Sequence, residues 1–180
     1  MSFTFLVGGA KSGKSKIALD IAKKYEMYAN DPVRFIATAI PGDQEMTAKI
    51  ERHIKERPAT FITIEEPVDI IGVLNQITEG FVIIDCFTLW VNNLLEAGLS
   101  DAEILDQAKE AATICNKKSW SSVLISNEVG AGIVPANNYT RRYRDLLGNV
   151  NQVLALYAQN NYFVIAGKLL PLSGIEVIDG

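Results

Sequence analysis

The 180-residue sequence has only two cysteines, Cys86 and Cys115, and neither belongs to a C-x-x-C pair. That excludes a disulfide framework or a cysteine zinc site and predicts reduced thiols in a cytoplasmic protein. It has no dense Lys/Arg tract, and its net charge is −4, which argues against a nucleic-acid partner held by phosphate contacts. No apolar run approaches transmembrane length. No signal peptide is visible, because the N-terminus runs directly into a short apolar strand. There is no internal repeat and no linker, so residues 1–180 read as a single domain with room for a substantial core. Hydrophobic residues make up 48% and charged residues 21%, the balance of an ordinary globular chain.

Against that plain background stands Gly8-Gly9-Ala10-Lys11-Ser12-Gly13-Lys14-Ser15. It fits G-x-x-x-x-G-K-[ST], the phosphate-binding loop. Phe3-Thr4-Phe5-Leu6-Val7 before it reads as a strand. After it, Ile17, Ile21 and Tyr25 recur at helical spacing. Strand, glycine loop and helix is the order this chemistry needs. Glycines let backbone N–H groups close around phosphate oxygens, and the helix N-terminus adds a favourable dipole. Lys14 would reach the β- and γ-phosphates, and Ser15 would offer its hydroxyl to Mg²⁺.

Strands and helices then alternate. Residues 33–39 read as a strand. Asp43 is placed to cap a polar helix over 44–57, whose Met46, Ile50 and Ile54 form one thin apolar stripe. So little apolar surface predicts loose packing. Residues 60–64 read as a strand, and Glu65-Glu66-Pro67 opens a helix to about Ile77. Phe81-Val82-Ile83-Ile84-Asp85 is an apolar run ending in a carboxylate. Asp85 there could hold Mg²⁺, or cap the following segment. Residues 87–95 are an apolar segment. Ser100-Asp101-Ala102-Glu103 is a capping signature for a helix to about Lys117. Residues 122–126 read as a buried strand leading to a glycine-bearing loop, residues 127–135. A long helix follows to about Gln159, then a strand at 162–166, with 168–180 offering a last edge strand. The pattern predicts an α/β fold with a mainly parallel sheet flanked by helices.

His53 is the only histidine. Imidazole can act as base or nucleophile, although a lone helical histidine is also an ordinary surface residue. Arg52, Lys55 and Arg57 beside it could neutralise a phosphate under attack. Arg141 and Arg144 share a helix face by spacing and could clamp one anion, or could simply be solvated. Asn127 and Glu128 sit where open α/β sheets bind ligands, and could contact substrate or only pin their loop. Trp90 and Trp120 read as core or partly buried aromatics.

In sequence order these stretches are residues 8–15; Phe-Ile-Ala-Thr-Ala at 35–39; Asp43-Gln44-Glu45-Met46; Arg52-His53 before Arg57-Pro58; Asp85 to Leu95; Ser126 to Pro135; Arg141 to Asp145; and Asn151-Gln152. Together they resemble the bifunctional adenosylcobinamide kinase / adenosylcobinamide-phosphate guanylyltransferase family of cobalamin biosynthesis, over residues 3–167. The resemblance implies a RecA-like P-loop NTPase fold and a homotrimer. It implies two reactions, phosphorylation of adenosylcobinamide by ATP or GTP, then GMP transfer from GTP through a guanylyl-histidine. His53 matches that histidine. The family's GTP-contacting positions map onto Gly8, Gly9, Ala10, Lys11, Ser12, Gly13, Lys14 and Ser15, onto Ala37, Thr38 and Ala39, onto Ile54, Lys55, Glu56 and Arg57, and onto Glu65 and Asp85. Lys14 would join His53 in catalysis, and Ser15 and Asp85 would hold Mg²⁺. Lys11 stands where members often carry Arg, which keeps the charge and loses the two-pronged fork. The stretch from Lys168 onward matches less well. A simpler P-loop kinase and a non-catalytic nucleotide switch remain open on the residues alone.

Overall fold

Residues 3–174 are described by the computed structural model. The elements run β1 (Phe3–Gly8), α1 (Lys14–Ala29), β2 (Val33–Ala37), α2 (Gln44–Glu56), β3 (Ile62–Glu65), α3 (Ile70–Gln76), β4 (Phe81–Asp85), α4 (Phe87–Glu96), α5 (Asp101–Lys117), β5 (Ser121–Asn127), α6 (Asn138–Tyr157), β6 (Asn160–Ile165) and β7 (Lys168–Pro171). The sheet order is β3-β2-β4-β5-β1-β6-β7. Every neighbouring pair is parallel except β6 with β7, which is antiparallel. The expected mainly parallel α/β sheet is what the chain forms.

The apolar runs of the strands follow from burial on both faces. Along β4, Val82 and Ile84 join the core under α3 to α6, while Phe81 and Ile83 join the core under α1. Phe5 and Val7 against Leu6 in β1, and Leu124 against Val123 and Ile125 in β5, divide in the same way. Trp90 and Trp120 are fully buried, and each indole N–H is satisfied, on Val68 O at 2.8 Å and Ile77 O at 3.1 Å. α2 is the exception. None of its described residues belongs to either buried cluster.

Local chemistry sets the helix starts. The Asp43 carboxylate accepts from Met46 N at 2.7 Å, as its position predicts. Ser100 and Glu103 form the full reciprocal capping box at α5. The helix expected from Glu65 begins later, at Ile70. Glu65 instead ends β3. The Glu66 carboxylate holds a turn by accepting from Val68 N and Asp69 N, and Asp69 is the true cap. The apolar segment at 87–95 is a helix, α4. Seven of its residues are buried because it lies beneath its neighbours and not on the surface. β2 stops at Ala37, two residues short of the expected end, and β6 starts two residues early. The expected last edge strand is confined to β7, and residues 175–180 of that expectation lie outside the described residues.

The register places Gly8 beside Asn127, and Ala37 between Glu65 and Asp85. Five strands therefore deliver functional candidates to one carboxyl edge, the edge at which open α/β sheets bind ligands.

Candidate active site

Residues 9–13 join β1 to α1. Gly8 has no room for a side chain, since a Cβ there would lie 2.2 Å from Val164 O of β6. Gly13 adopts φ 106°, a left-handed conformation that glycine accepts without strain. It offers no side chain to cap α1, and the first turn carries no acidic residue. The leading N–H groups of that helix are thus available to an anion. Ser12 O accepts from Gly167 N at 2.8 Å, tying the loop to the β6–β7 turn. Lys14 is buried, with Nζ donating to Gly8 O at 2.8 Å, Gly9 O at 2.7 Å and Ser12 Oγ at 3.2 Å. Ala10 and Lys11 are exposed on the outside of the loop.

Beside the strand ends, α2 forms one wall of an open cleft. Its apolar lining includes Ala37, Ala39, Met46, Ile50, Ile54 and Leu89, and its polar groups are His53, Arg57, Glu65 and Asp85. A smaller, shallow cavity is lined by Ser15, His53, Glu56, Arg57 and Asp85, with Leu19 and Phe35. His53, Arg57 and Asp85 line both spaces, so α2 brings the histidine to the end of the phosphate loop. Lys55 is exposed and lines neither.

The Arg57 guanidinium lies 3.9 Å over the Phe35 ring. Burial lowers its pKa, and the nearby charges of Asp85 and Glu65 oppose that shift. Its Nη1 donates to Thr63 Oγ1 at 3.4 Å, and its Nε is buried without a partner among the described residues, which leaves donor capacity for an anionic ligand.

Thr38 plays a different part from its neighbours. It is fully buried, its hydroxyl donating to Cys86 O at 2.8 Å and accepting from Cys86 N at 2.9 Å. Its own N–H donates to Asp85 O at 3.2 Å. Its side chain therefore fixes the end of β4, and with it Asp85, and does not face the cleft. Asn93 completes the tie by donating to Thr38 O at 2.8 Å and Pro67 O at 2.9 Å. Sequence reading passed over Asn93. The available signal was a polar residue inside an otherwise apolar run.

The two arginines that spacing offered as an anion clamp have local partners in the structure. Arg141 donates to Pro135 O at 2.8 Å, to Ala136 O at 2.7 Å and to Asn138 Oδ1, closing the loop before α6. Arg144 pairs with Asp145 at 2.8 Å, and Arg142 with Asp101 at 2.6 Å. Each guanidinium has a local acceptor that competes with a shared ligand. Glu128 pins its own loop, its carboxylate accepting from Gly130 N at 2.5 Å and Ala131 N at 3.2 Å. Its N–H also donates to Gly8 O at 3.0 Å, next to the phosphate loop.

Ser15 and Asp85 supply hard oxygen donors to one small cavity. Among the described residues no cluster of three or more histidine, cysteine or carboxylate groups could hold a metal alone. A hydroxyl and one carboxylate, completed by phosphate oxygens and water, is a donor set that suits Mg²⁺.

The family profile described as cobinamide kinase / cobinamide phosphate guanyltransferase matches residues 4–172. The bifunctional adenosylcobalamin biosynthesis protein CobP of Pseudomonas aeruginosa is 37% identical over 172 residues, covering 94% of this chain and 96% of its own. The bifunctional adenosylcobalamin biosynthesis proteins CobU of Salmonella typhimurium and Escherichia coli are each 35% identical, over 178 and 176 residues, covering 90% of this chain and 94% of theirs.

Proposed function

This chain belongs to the cobinamide kinase / cobinamide phosphate guanyltransferase family, and from that premise we propose that it carries out both reactions on adenosylcobinamide. ATP or GTP phosphorylates the aminopropanol hydroxyl. GTP then donates GMP to that phosphate through a covalent histidine, giving adenosyl-GDP-cobinamide. The observation that carries the reading is the lining of the small cavity, where His53 of α2 meets Ser15 of the phosphate loop and Asp85 of β4.

In this reading the loop from Gly8 to Ser15 holds the triphosphate by backbone N–H groups. Lys14 turns from the Gly8 and Gly9 carbonyls to the β- and γ-phosphates. Ser15 and Asp85 would hold Mg²⁺, which supplies neutralisation of phosphate charge when bound. For guanylyl transfer a ring nitrogen of His53 forms a bond to the α-phosphorus. The bond from that phosphorus to the bridging oxygen breaks, and pyrophosphate leaves with the electron pair. An oxygen of the cobinamide phosphate then attacks the same phosphorus and the N–P bond breaks. Two displacements replace one difficult transfer. The apolar cleft along Met46, Ile50 and Leu89 takes the nucleoside, with Arg57 and Glu65 at its polar side.

Phosphorylation uses the γ-phosphorus and guanylylation the α-phosphorus. The nucleotide therefore takes two poses, or α2 shifts between the two steps. The absence of α2's described residues from both buried clusters favours the second. The loop at 127–137 is the proposed corrinoid side. The family likeness also supports a homotrimer and a cytoplasmic location. Among the described residues no helix is long and apolar enough to cross a membrane.

Incubation with GTP and Mg²⁺ followed by peptide mass spectrometry tests the reading. A GMP adduct on His53, absent from His53→Ala, is the expected result. Phosphorylation of cobinamide without any adduct would leave only a simpler kinase. Nucleotide binding without turnover of cobinamide would leave only a switch.

A further inference from the structure

The β6–β7 hairpin lies along the phosphate loop from its entry to its exit. At the entry, Val164 O of β6 fills the space that a side chain on Gly8 would need. At the exit, a Cβ on Gly13 would lie 3.1 Å from Gly167 Cα. Next to it the Gly167 N–H donates to Ser12 O at 2.8 Å. The turn of the hairpin is two residues long, since Ile165 pairs with Lys168 across it. Both of its residues are left-handed, Ala166 at φ 50° and Gly167 at φ 72°, the pattern of a tight hairpin turn. Such a φ is uncommon for alanine and costs free energy. The core does not impose it, because Ala166, Gly167 and every residue of β7 are exposed. The backbone hydrogen bond that leaves this turn goes to the phosphate loop.

We propose that Gly167 is a positioning residue for the phosphate loop, its N–H holding the Ser12 carbonyl so that the Gly13 N–H faces the phosphates of the nucleotide. The Ser12–Gly13 peptide is trans. In a planar trans peptide the carbonyl and the N–H point in opposite directions. With Ser12 O turned to Gly167, the Gly13 N–H is turned away from the hairpin, and it has no acceptor among the described residues. Gly13 is the N-cap of α1, so this donor joins the leading N–H groups of that helix. A donor fixed before the ligand arrives loses little freedom on binding. The hold acts on the phosphates alone, since no residue of the hairpin lines the cleft beside α2. The assignment rests on the reading of residues 8–15 as a triphosphate grip, and it serves phosphorylation and GMP transfer alike.

The test is isothermal titration of the protein with GTP and Mg²⁺, and separately with guanosine, which has no phosphate. Gly167→Val sets a β-branched side chain at a left-handed position, which displaces the N–H even though a Cβ there has open space around it. GTP affinity should fall about tenfold, the order of one hydrogen bond to a charged group, while guanosine affinity stays within about twofold of wild type. Gly167→Asn, whose side chain tolerates the left-handed region, should keep GTP affinity within about threefold of wild type. Wild-type GTP affinity in Gly167→Val overturns the assignment while leaving the phosphate grip intact. Gly167→Asn as weak as Gly167→Val overturns it as well, because the turn conformation would not be what matters. Equal loss of GTP and guanosine binding in Gly167→Val also overturns it, by showing a structural role. A wild-type protein that binds GTP no more tightly than guanosine overturns the phosphate-grip reading itself and the assignment with it.

Discussion

Cys115 is sealed in α5, and burial pushes its thiol up to about 12, with a smaller opposing contribution from Ser122. In the unfolded chain a cysteine titrates near ~8.5. The folded pKa is the higher one, so the contribution to stability is complete below about 8.5 and is lost as pH rises from there through about 12. Between pH 7 and pH 10 that amounts to about 2 kcal/mol, fixed mainly by the unfolded value. Urea unfolding of wild type and Cys115→Ala at both pH values should show a shallower alkaline fall in the variant. Equal slopes would contradict the account. Residues of this kind explain what sequence reading could and could not reach. Lys14, Ser15 and Asp85 announce themselves because their chemistry depends on immediate neighbours. Thr38 does not. Its hydroxyl is directed inward by Cys86, a partner far along the chain that no local pattern specifies.

Among the elements, α2 is the one whose amphipathic stripe faces a cleft and not the core. The thin spacing of Met46, Ile50 and Ile54 was legible as loose packing. That the stripe faces a ligand site was not, because the same pattern fits any surface helix. Few buried contacts lower the free energy of local opening. Amides within α2 should therefore exchange faster than those of α5, and should slow when GTP binds and engages His53 and Arg57. Hydrogen exchange by mass spectrometry reads this directly, and high protection unchanged by GTP would contradict a moving α2. The start of α3 was misplaced for a related reason. Glu66 forms a turn by capping Val68 and Asp69, and a carboxylate before a proline looks the same in sequence whether it opens a helix or delays one. The α5 capping box was legible because both partners lie within four residues.

Across the whole molecule, parallel strands bring Gly8, Ala37, Glu65, Asp85 and Asn127 to one edge, and α2 brings His53 to it. The sheet class was legible from alternating apolar runs. The meeting of His53 with Ser15 was not, because it depends on how α2 lies over the strand ends. That meeting underlies the central claim that one phosphate grip serves reactions at two phosphorus atoms. The most direct measurement assays cobinamide phosphorylation and GMP transfer side by side in Lys14→Ala and His53→Ala. Supplying cobinamide phosphate for the second assay makes the two readouts independent. The account predicts that Lys14→Ala loses both activities, and that His53→Ala loses GMP transfer while keeping phosphorylation within about threefold of wild type, since a nucleophile acting at the α-phosphorus has no part in γ-phosphoryl transfer. A His53→Ala protein that still transfers GMP would contradict it.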